Sequence, residues 1–218
     1  MEEIRLDRAK AETTWEAIDG ARRVLTSGGV VVFPTDTIYG LGANALDERA
    51  IAQLFRIKGR DKNKPISILV RDLKAARRVA CIDSRAEAIL GRIWPGPVTV
   101  ILRKKDIIPY SLTAGGESVA VRVPADPWVQ ALLGAVDFPV TATSANLAGA
   151  QNILTADELR QTFAGRQDAP DLLLDAGDLA SGTPSTIIDL TDIRNPRLVR
   201  MGLADRATIE AFLNKFID

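Results

Sequence analysis

The 218-residue sequence predicts an α/β fold in which helices pack on a twisted mixed sheet. Short apolar and β-branched runs intermix with helical segments, without the strict alternation of a doubly wound parallel sheet. Several apolar runs also lie too close together in the chain for the crossover helix that a parallel pair requires. No repeat, low-complexity tract or break in composition divides the chain. We therefore predict a single domain over residues 1–218.

Seven segments have the features of helices, and most begin at a residue whose side chain can cap a helix. The first is predicted from the capping pair Thr13 and Glu16 to Gly28, where the glycine ends it. The second follows Asp47, has apolar residues at helical spacing and ends in cations. The other predicted helices begin at Asp72, at Ser84 with Glu87, at Asp126 with Pro127, at Thr155 with Glu158 and at Asp205, the last containing Ile209, Phe212, Leu213 and Phe216.

Eight apolar runs are predicted as strands because they are short, rich in β-branched residues and bounded by turn residues. They cover residues 30–33, 66–70, 98–102, 118–123, 139–143, 172–174, 186–190 and 198–200. Pro34 stops the first run, and a loop with Thr35, Asp36 and Thr37 follows it. The fifth run leads into Ser144 and Asn146. Such a pair is common in turns, but ligands also gather at the carboxyl ends of strands in open α/β sheets.

Alternation in one strand separates two kinds of side chain. Val119, Val121 and Val123 lie on one face, whereas Ala120 and Arg122 lie on the other together with Ser118. A strand with a small, polar face and one guanidinium either lines a cavity or exposes an arginine on an outer sheet face. The strand alone does not distinguish these two interpretations.

Four cations follow the second predicted helix. Lys58, Arg60, Lys62 and Lys64 occupy alternate positions, so an extended backbone would project all four to the same side. A polyanion such as a nucleotide triphosphate would suit them. The alternative is a solvated basic loop in which Asp61 is the local counter-ion.

Composition excludes several classes of protein. The 28 Lys and Arg residues balance 28 Asp and Glu residues, which argues against non-specific coating of nucleic acid. Cys81 is the only cysteine, so an intrachain disulfide is impossible, and the absence of histidine removes the commonest general base. The N-terminus is polar and acidic, and no apolar stretch approaches the ~20 residues of a membrane span. We therefore expect a soluble, cytoplasmic protein with no membrane partner.

The sequence does not match either of two common nucleotide-binding motifs. The spacing Gly40-x-Gly42-x-x-Ala45 matches the dinucleotide fingerprint loosely, but it begins several residues after the strand. Cations also follow it where an acidic ribose ligand is expected. No phosphate-binding loop of the G-x-x-x-x-G-K-S/T type occurs in the chain. A NAD site and a Walker site are both excluded.

Seven short motifs, taken in order, resemble the YrdC-type L-threonylcarbamoyladenylate synthase family. They are Pro34-Thr-Asp-Thr-Ile-Tyr-Gly-Leu-Gly42, Lys58-Gly-Arg60 with Lys64-Pro65, Trp94-Pro-Gly-Pro97, Ser118-Val-Ala-Val-Arg122-Val-Pro124, Ser144-Ala-Asn146, Pro184-Ser-Thr186 and Leu198-Val-Arg200. The resemblance runs from about Gly28 to Gly202. It implies a twisted α/β sheet around a deep, electropositive cavity, in the short, single-domain form of the family.

The resemblance also implies a reaction and its partners. The family joins L-threonine, bicarbonate and ATP with Mg²⁺ into threonylcarbamoyl-adenylate and releases pyrophosphate. A tRNA-modifying threonylcarbamoyl transferase then uses the product, and direct RNA binding is a further possibility that the family raises. The carbamate attacks the α-phosphorus in line, which requires neutralised charge and alignment more than a strong base.

Site residues follow from the matched motifs. The resemblance assigns catalytic roles to Lys58, Arg60, Ser144 and Asn146. It assigns ATP binding to Lys58, Arg60, Lys64, Ser118, Ser144, Asn152 and Arg200, and threonine binding to Thr37, Arg122 and Ser185, with no protein metal ligand. Arg122 is expected to hold the threonine carboxylate. Leu69 stands where many relatives have a histidine at the threonine side, which bears on amino-acid specificity.

Three alternatives stay open from the sequence. The first is a non-catalytic RNA-binding or ribosome-associated module. The second is a carbamoyl-adenylate-forming carbamoyltransferase of the hydrogenase-maturation type, which normally has additional upstream segments. The third is a sister branch of the family, which departs from the K-x-R and S-x-N pairs present here.

Overall fold

The computed structural model describes residues 1–7, 9–179, 182–207 and 209, and ten strands within them form one sheet. The strands are β1 (Glu2–Arg5), β2 (Val31–Pro34), β3 (Tyr39–Gly42), β4 (Ser67–Leu69), β5 (Val98–Arg103), β6 (Ser118–Arg122), β7 (Val140–Ser144), β8 (Leu172–Asp175), β9 (Thr186–Asp189) and β10 (Arg197–Arg200). The helices are α1 (Ala11–Thr26), α2 (Glu48–Lys58), α3 (Leu73–Val79), α4 (Ser84–Ile93), α5 (Pro127–Gly134) and α6 (Ala156–Phe163).

The sheet is mixed, as the sequence predicts. Its strand order is β1-β8-β2-β3-β7-β4-β6-β5-β9-β10. The pairs β1–β8, β2–β8, β4–β6 and β5–β9 are parallel, and the other neighbours are antiparallel. The antiparallel pair β2–β3 is a local hairpin, in which Val31 lies opposite Gly42. The predicted α/β class with a mixed sheet is confirmed.

Two strands are missing from the sequence prediction. β3 contains two glycines in four residues and lacks a strand-like composition, yet all four residues are buried between β2 and β7. β1 is polar and acidic, but it pairs in parallel with β8, with Ile4 opposite Leu174. In both cases pairing with distant strands decides the structure, and local propensity does not.

Four predicted helix caps are confirmed. The Asp47 carboxylate accepts hydrogen bonds from the amides of Arg49 and Ala50. The side chains of Asp72, Asp126 and Thr155 accept from amides in the first turns of α3, α5 and α6. Each cap satisfies a backbone donor that has no partner within the helix.

The Thr13–Glu16 capping box is wrong. α1 begins at Ala11, and the Thr13 hydroxyl donates to the carbonyl oxygens of Asp7 and Lys10. α4 begins at Ser84 as predicted, and its cap is Asp83, whose carboxylate accepts from the amide of Ala86. The helix predicted from Asp205 falls mostly outside the described residues; within them, Ile209 is buried.

The two faces of the sheet belong to two separate hydrophobic clusters. Along β2, Val31 and Phe33 pack with α1 and α5, whereas Val32 packs in the larger cluster with α2, α3, α4 and α6. Because successive side chains of a strand point to opposite faces of the sheet, β2 contributes residues to both clusters. α1 packs on β1, β2, β8 and α5. No helix in the described part of the chain combines the length and apolarity needed to cross a bilayer.

Candidate functional site

A cavity of about 430 Å³ lies on the sheet face that carries α1 and α5, over the central strands. In β6, Ala120 and Arg122 line the cavity, whereas Val119 and Val121 belong to the opposite hydrophobic cluster. The same alternation holds in β4, where Ile68 lies in that cluster between the cavity-lining residues Ser67 and Leu69. The alternation of residues 118–123 is therefore that of a strand lining a cavity.

Small side chains make space for the cavity. Gly40 lies opposite Ser144, and Ser67 lies opposite Ala142, so neighbouring strands present small groups side by side. All four residues line the cavity together with Ala120. Larger side chains at these positions would fill the space that a ligand needs.

Seven of the predicted site residues line this one cavity. They are Thr37, Arg60, Arg122, Ser144, Asn152, Ser185 and Arg200. They come from both halves of the chain, with up to 163 positions between them. Lys58, Lys64, Ser118 and Asn146 are not among the lining residues. The structure therefore separates the predicted set into a group at the cavity surface and a group outside it.

The charge of the cavity wall is one-sided. Arg60, Arg122 and Arg200 line it, and none of its described lining residues is an aspartate or a glutamate. This wall favours an anionic ligand. The residues lining the cavity include no carboxylate, and no cluster of three potential metal-ligating side chains occurs among the described residues. The described side chains alone therefore do not form a divalent-cation site.

Arg60 follows α2 in a turn, so the segment is not extended and does not project the four cations to one side. Gly59 ends α2 with φ of 59°, and the amide of Lys64 donates to the carbonyl oxygen of Asp61. Arg60 Nε donates to the carbonyl oxygen of Lys64 at 3.2 Å, and Nη2 donates to that of Pro65 at 2.9 Å. Lys64 is exposed, as is Lys62.

Arg200 is held in a similar way at the other side of the cavity. Its Nε and Nη2 donate to the carbonyl oxygen of Ser185 at 3.3 and 2.8 Å. Burial lowers the pKa of Arg200, and burial also lowers that of Arg60, against the opposing effect of the nearby Asp61 charge. No described carboxylate forms an ion pair with either guanidinium. Both charges are therefore available to a ligand.

Lys58 lies beneath the cavity surface. Only 2% of the residue is exposed, and its ammonium donates to the carbonyl oxygens of Ser144 and Asn146, the latter at 2.8 Å. The same ammonium also donates to Asn146 Oδ1 at 3.3 Å. Burial, together with the charge of Arg60, lowers the pKa of Lys58 to about 8. In this arrangement Lys58 positions the segment that presents Ser144.

Arg122 is already paired. Its Nε donates to the carbonyl oxygen of Gly96 at 2.9 Å, and its Nη2 contacts both carboxylate oxygens of Asp36 at 2.7 and 2.6 Å. Only 6% of the Arg122 side chain is exposed, against 24% for Asp36. From the family motifs we expect the Arg122 guanidinium to hold the threonine carboxylate, but Asp36 already occupies Nη2. Among the described residues, none accepts a hydrogen bond from Nη1.

Thr35 holds the Thr37 hydroxyl at the cavity wall. The two hydroxyl oxygens lie 2.8 Å apart, and either can be the donor. Thr35 Oγ1 also lies 2.7 Å from the carbonyl oxygen of Ile38 and accepts from the amides of Thr37 and Ile38. With either direction, Thr37 Oγ1 keeps at least one lone pair that can accept a hydrogen bond from a ligand. Thr37 can thus act as an acceptor at the cavity wall.

Ser144 and Ser185 supply two further hydroxyls. Ser185 Oγ lies 2.8 Å from Thr99 Oγ1, a buried group on β5. None of the described residues forms a hydrogen bond with Ser144 Oγ. Asn152 Nδ2 donates to the carbonyl oxygen of Gly182 at 3.3 Å. The wall therefore combines cations with hydroxyl and amide groups.

Sequence reasoning missed the role of three residues. Asp36 pairs with Arg122, Thr35 orients Thr37, and Thr99 contacts Ser185. Asp36 and Thr35 lie in the loop that the sequence singles out, so position alone was a usable signal. Thr99 gives no such signal, because it lies within an apolar strand run.

Comparisons with known proteins agree on one family. Residues 23–202 match the family Sua5_yciO_yrdC, described as "Telomere recombination". The chain is 37% identical over 179 residues to the threonylcarbamoyl-AMP synthase of Pyrococcus abyssi, covering 82% of this chain and 52% of that protein. It is 36% identical over 171 residues to the threonylcarbamoyl-AMP synthase of Chromobacterium violaceum, covering 78% of this chain and 86% of that protein.

A solved structure shares the fold. The crystal structure of P. abyssi Sua5 complexed with L-threonine superposes with a TM-score of 0.86 at 35% identity, covering 97% of this chain and 60% of that chain. The chain spans about half the length of the P. abyssi synthase.

Proposed function

The chain belongs to the Sua5/YciO/YrdC family, and on that premise we propose that it is an L-threonylcarbamoyladenylate synthase. The proposed enzyme is a nucleotidyltransferase that uses L-threonine, bicarbonate and ATP and releases pyrophosphate. One observation carries the proposal. A single cavity with a cationic wall is lined by seven residues from both halves of the chain. The family motifs assign each of the seven a contact with ATP or threonine.

The nucleotide end of the cavity is proposed at Arg60 and Arg200. Neither guanidinium has a carboxylate partner among the described residues, and both are fixed by backbone carbonyl groups. Two fixed cations of this kind suit the phosphates of ATP, because the guanidinium groups need to move little as negative charge develops on the phosphates during the reaction. Ser144 Oγ and Asn152 can add hydrogen bonds to the same ligand.

Lys58 and Asn146 take positioning roles in this proposal. Lys58 donates to backbone and side-chain oxygens of residues 144–146, and Asn146 Nδ2 donates to the carbonyl oxygen of Ala150. Together they fix the loop after β7. Lys64 and Ser118 lie outside the cavity lining, so their assignment to ATP rests on the family motifs alone.

The amino-acid end is proposed at Arg122, Thr37 and Ser185. Arg122 Nη1 can donate to the threonine carboxylate. Thr37 Oγ1 can accept a hydrogen bond from the amine or from the hydroxyl of threonine, because its contact with Thr35 leaves at least one lone pair free. Leu69 adds an apolar side chain to the same wall. The subsite therefore recognises both the charged groups and the hydroxyl group of the amino acid.

Two bond-forming steps follow. The threonine amine and bicarbonate give a carbamate and water, and a carbamate oxygen then attacks the α-phosphorus of ATP. The bond from the α-phosphorus to the bridging oxygen breaks, and pyrophosphate leaves. Both reactants are anions, so the cavity must neutralise charge and hold the atoms in line. Fixed arginines and hydroxyls can do this without histidine.

Mg²⁺ is proposed to arrive with ATP. The described lining residues contain no carboxylate, so the phosphates themselves would hold the ion. The product is a mixed anhydride, which an acyl-transferring enzyme must consume. We propose that this enzyme is the transferase that modifies tRNA, that the present chain acts in the cytoplasm, and that residues 1–218 act as one domain. Direct RNA binding has no specific support in the cavity wall.

The experiment is a pyrophosphate-release assay. Purified protein is incubated with ATP, Mg²⁺ and bicarbonate, with and without L-threonine, and the adenylate product is identified by mass spectrometry. We expect release that depends on threonine and bicarbonate and that is lost in Arg60→Ala. Release of equal size with L-valine would point to another acceptor, and no release with any amino acid would contradict the proposed activity.

A further inference from the structure

We propose that the Arg122–Asp36 ion pair gives the cavity two anion sites of different charge, because Asp36 neutralises Arg122, whereas Arg60 and Arg200 have no ion-pair partner among the described residues. The inference rests on the proposed function only in identifying the ligand at Arg122 as an amino acid. Asp36 is then a specificity-determining residue that keeps phosphate away from the amino-acid site.

The pairing of Arg122 is tight and specific. Both oxygens of Asp36 lie within 2.7 Å of Nη2, and the carbonyl oxygen of Gly96 holds Nε. The arginine side chain is almost fully buried, so solvent screens its ion pair weakly. The pair as a whole has no net charge, yet Nη1 can still donate hydrogen bonds.

The other two arginines differ in this respect. Arg60 and Arg200 also line the cavity and also donate to backbone carbonyl oxygens. Carbonyl groups orient a guanidinium, but they do not cancel its charge. Among the described residues, Arg122 is the cavity arginine that has a carboxylate within ion-pair distance. The positive charge is therefore concentrated at the Arg60 and Arg200 side.

This difference selects ligands by their charge. A phosphate dianion gains most from an unpaired cation, and it meets repulsion from Asp36 if it approaches Arg122. A zwitterionic amino acid is neutral overall. Its carboxylate can use Nη1, while the repulsion from Asp36 on the carboxylate is offset by attraction of the ammonium. ATP then has one favourable orientation in the cavity, and the amino-acid site stays open.

Phosphate binding to Asp36→Asn tests the inference. Asparagine keeps an oxygen that can accept from Arg122 Nη2, but it leaves the guanidinium charge unbalanced. Isothermal titration calorimetry measures the affinity for inorganic phosphate. We expect the site at Arg122 to bind phosphate more tightly in the variant than in the wild type, by about tenfold or more. The gain should disappear in the double variant Asp36→Asn/Arg122→Gln. Asp106→Asn, which removes an exposed carboxylate elsewhere, is the matched control.

Two results would overturn the inference. One is wild-type phosphate affinity in Asp36→Asn, and the other is an equal gain in the double variant Asp36→Asn/Arg122→Gln. Circular dichroism and thermal melting establish whether each variant is folded. If Asp36→Asn does not fold, the comparison of Asp36→Asn/Arg122→Gln, which removes both charges of the pair, with Arg60→Gln decides. We expect phosphate affinity to fall in the Arg60 variant and to stay unchanged in the double variant, and an equal fall in both would overturn the inference.

Threonine titrations separate this inference from the proposed function. In the wild type we expect threonine affinity to be independent of phosphate, and in Asp36→Asn we expect phosphate to compete with threonine. The affinity for threonine itself should change by less than about threefold, because the ligand is neutral overall. If threonine does not bind the wild type, the proposed substrate is wrong, and the phosphate titrations still decide the role of Asp36.

Discussion

The Lys58 ammonium lies 2.8 Å from the carbonyl oxygen of Asn146, a residue 88 positions later in the chain. The backbone strengthens this connection, because the amide of Ala148 donates to the carbonyl oxygen of Lys58 at 2.8 Å. The end of α2 is thereby fixed to the loop after β7. The two motifs that the sequence marks as K-x-R and S-x-N thus act as one structural unit.

The first prediction concerns pH and Lys58. With a pKa of about 8, the amine is an ammonium below that pH and is neutral above it. A neutral amine has one proton fewer for its three oxygen partners. We expect kcat/KM for ATP to fall as pH rises through about 8, since this constant reports the free enzyme. In Lys58→Arg, which stays charged, the decline should be absent; an identical decline would assign it to another group.

The second prediction concerns the two unpaired arginines. Replacing Arg60 or Arg200 with glutamine removes a charged hydrogen-bond donor from the cavity wall. We expect KM for ATP to rise by about 10-fold to 100-fold, which corresponds to the loss of one charge-assisted hydrogen bond. Lys62→Gln is the matched control, because Lys62 is exposed and does not line the cavity. Similar effects in the Arg60 and Lys62 variants would mean that general charge, and not the cavity, binds ATP.

The third prediction concerns amino-acid selectivity. Thr37→Ala removes the acceptor that faces the cavity, so threonine should lose its advantage over valine. We expect the ratio of kcat/KM for threonine to that for valine to fall by about tenfold or more. Thr37→Ser keeps the hydroxyl and should keep most of the ratio. Unchanged discrimination in the alanine variant would assign the selectivity to other residues.

The fourth prediction concerns packing between β2, β3 and β7. A Cβ at Gly42 would lie 2.6 Å from Phe33 Cε1 and 2.9 Å from Val140 Cγ1, distances that force neighbours to move. We expect Gly42→Ala to lower the free energy of unfolding by about 1–3 kcal/mol, measured by urea denaturation. Gly40→Ala is the matched control in the same strand, because its Cβ would lie 3.5 Å from Phe33 Cζ. Its cost should be clearly smaller, and equal costs would contradict the packing argument.

Local sequence determined most of the helices and most of the interior strands. Capping carboxylates at Asp47, Asp72 and Asp126 mark helix starts because they satisfy amides that have no partner within the helix. Alternation in residues 118–123 separated core from cavity side chains, because the strand period is two. The family resemblance that these motifs support is confirmed.

Tertiary structure decided the remaining features. β3 forms because it exchanges backbone hydrogen bonds with β2 and β7, and no local propensity of its glycines indicates this. An extended segment would place Lys58 and Arg60 on the same side, but α2 includes Lys58, whose side chain lies against residues 144–146. Charge patterning alone could not show which cations are buried.

The sequence by itself determined the fold class and the family, and it predicted which residues form the site. Only the tertiary structure decided which of them reach the cavity surface, and which arginine is neutralised there. The physical reason is that backbone preference and side-chain period are local properties. An ion pair such as Arg122–Asp36, which joins positions 86 residues apart, exists only after the sheet has brought its strands together.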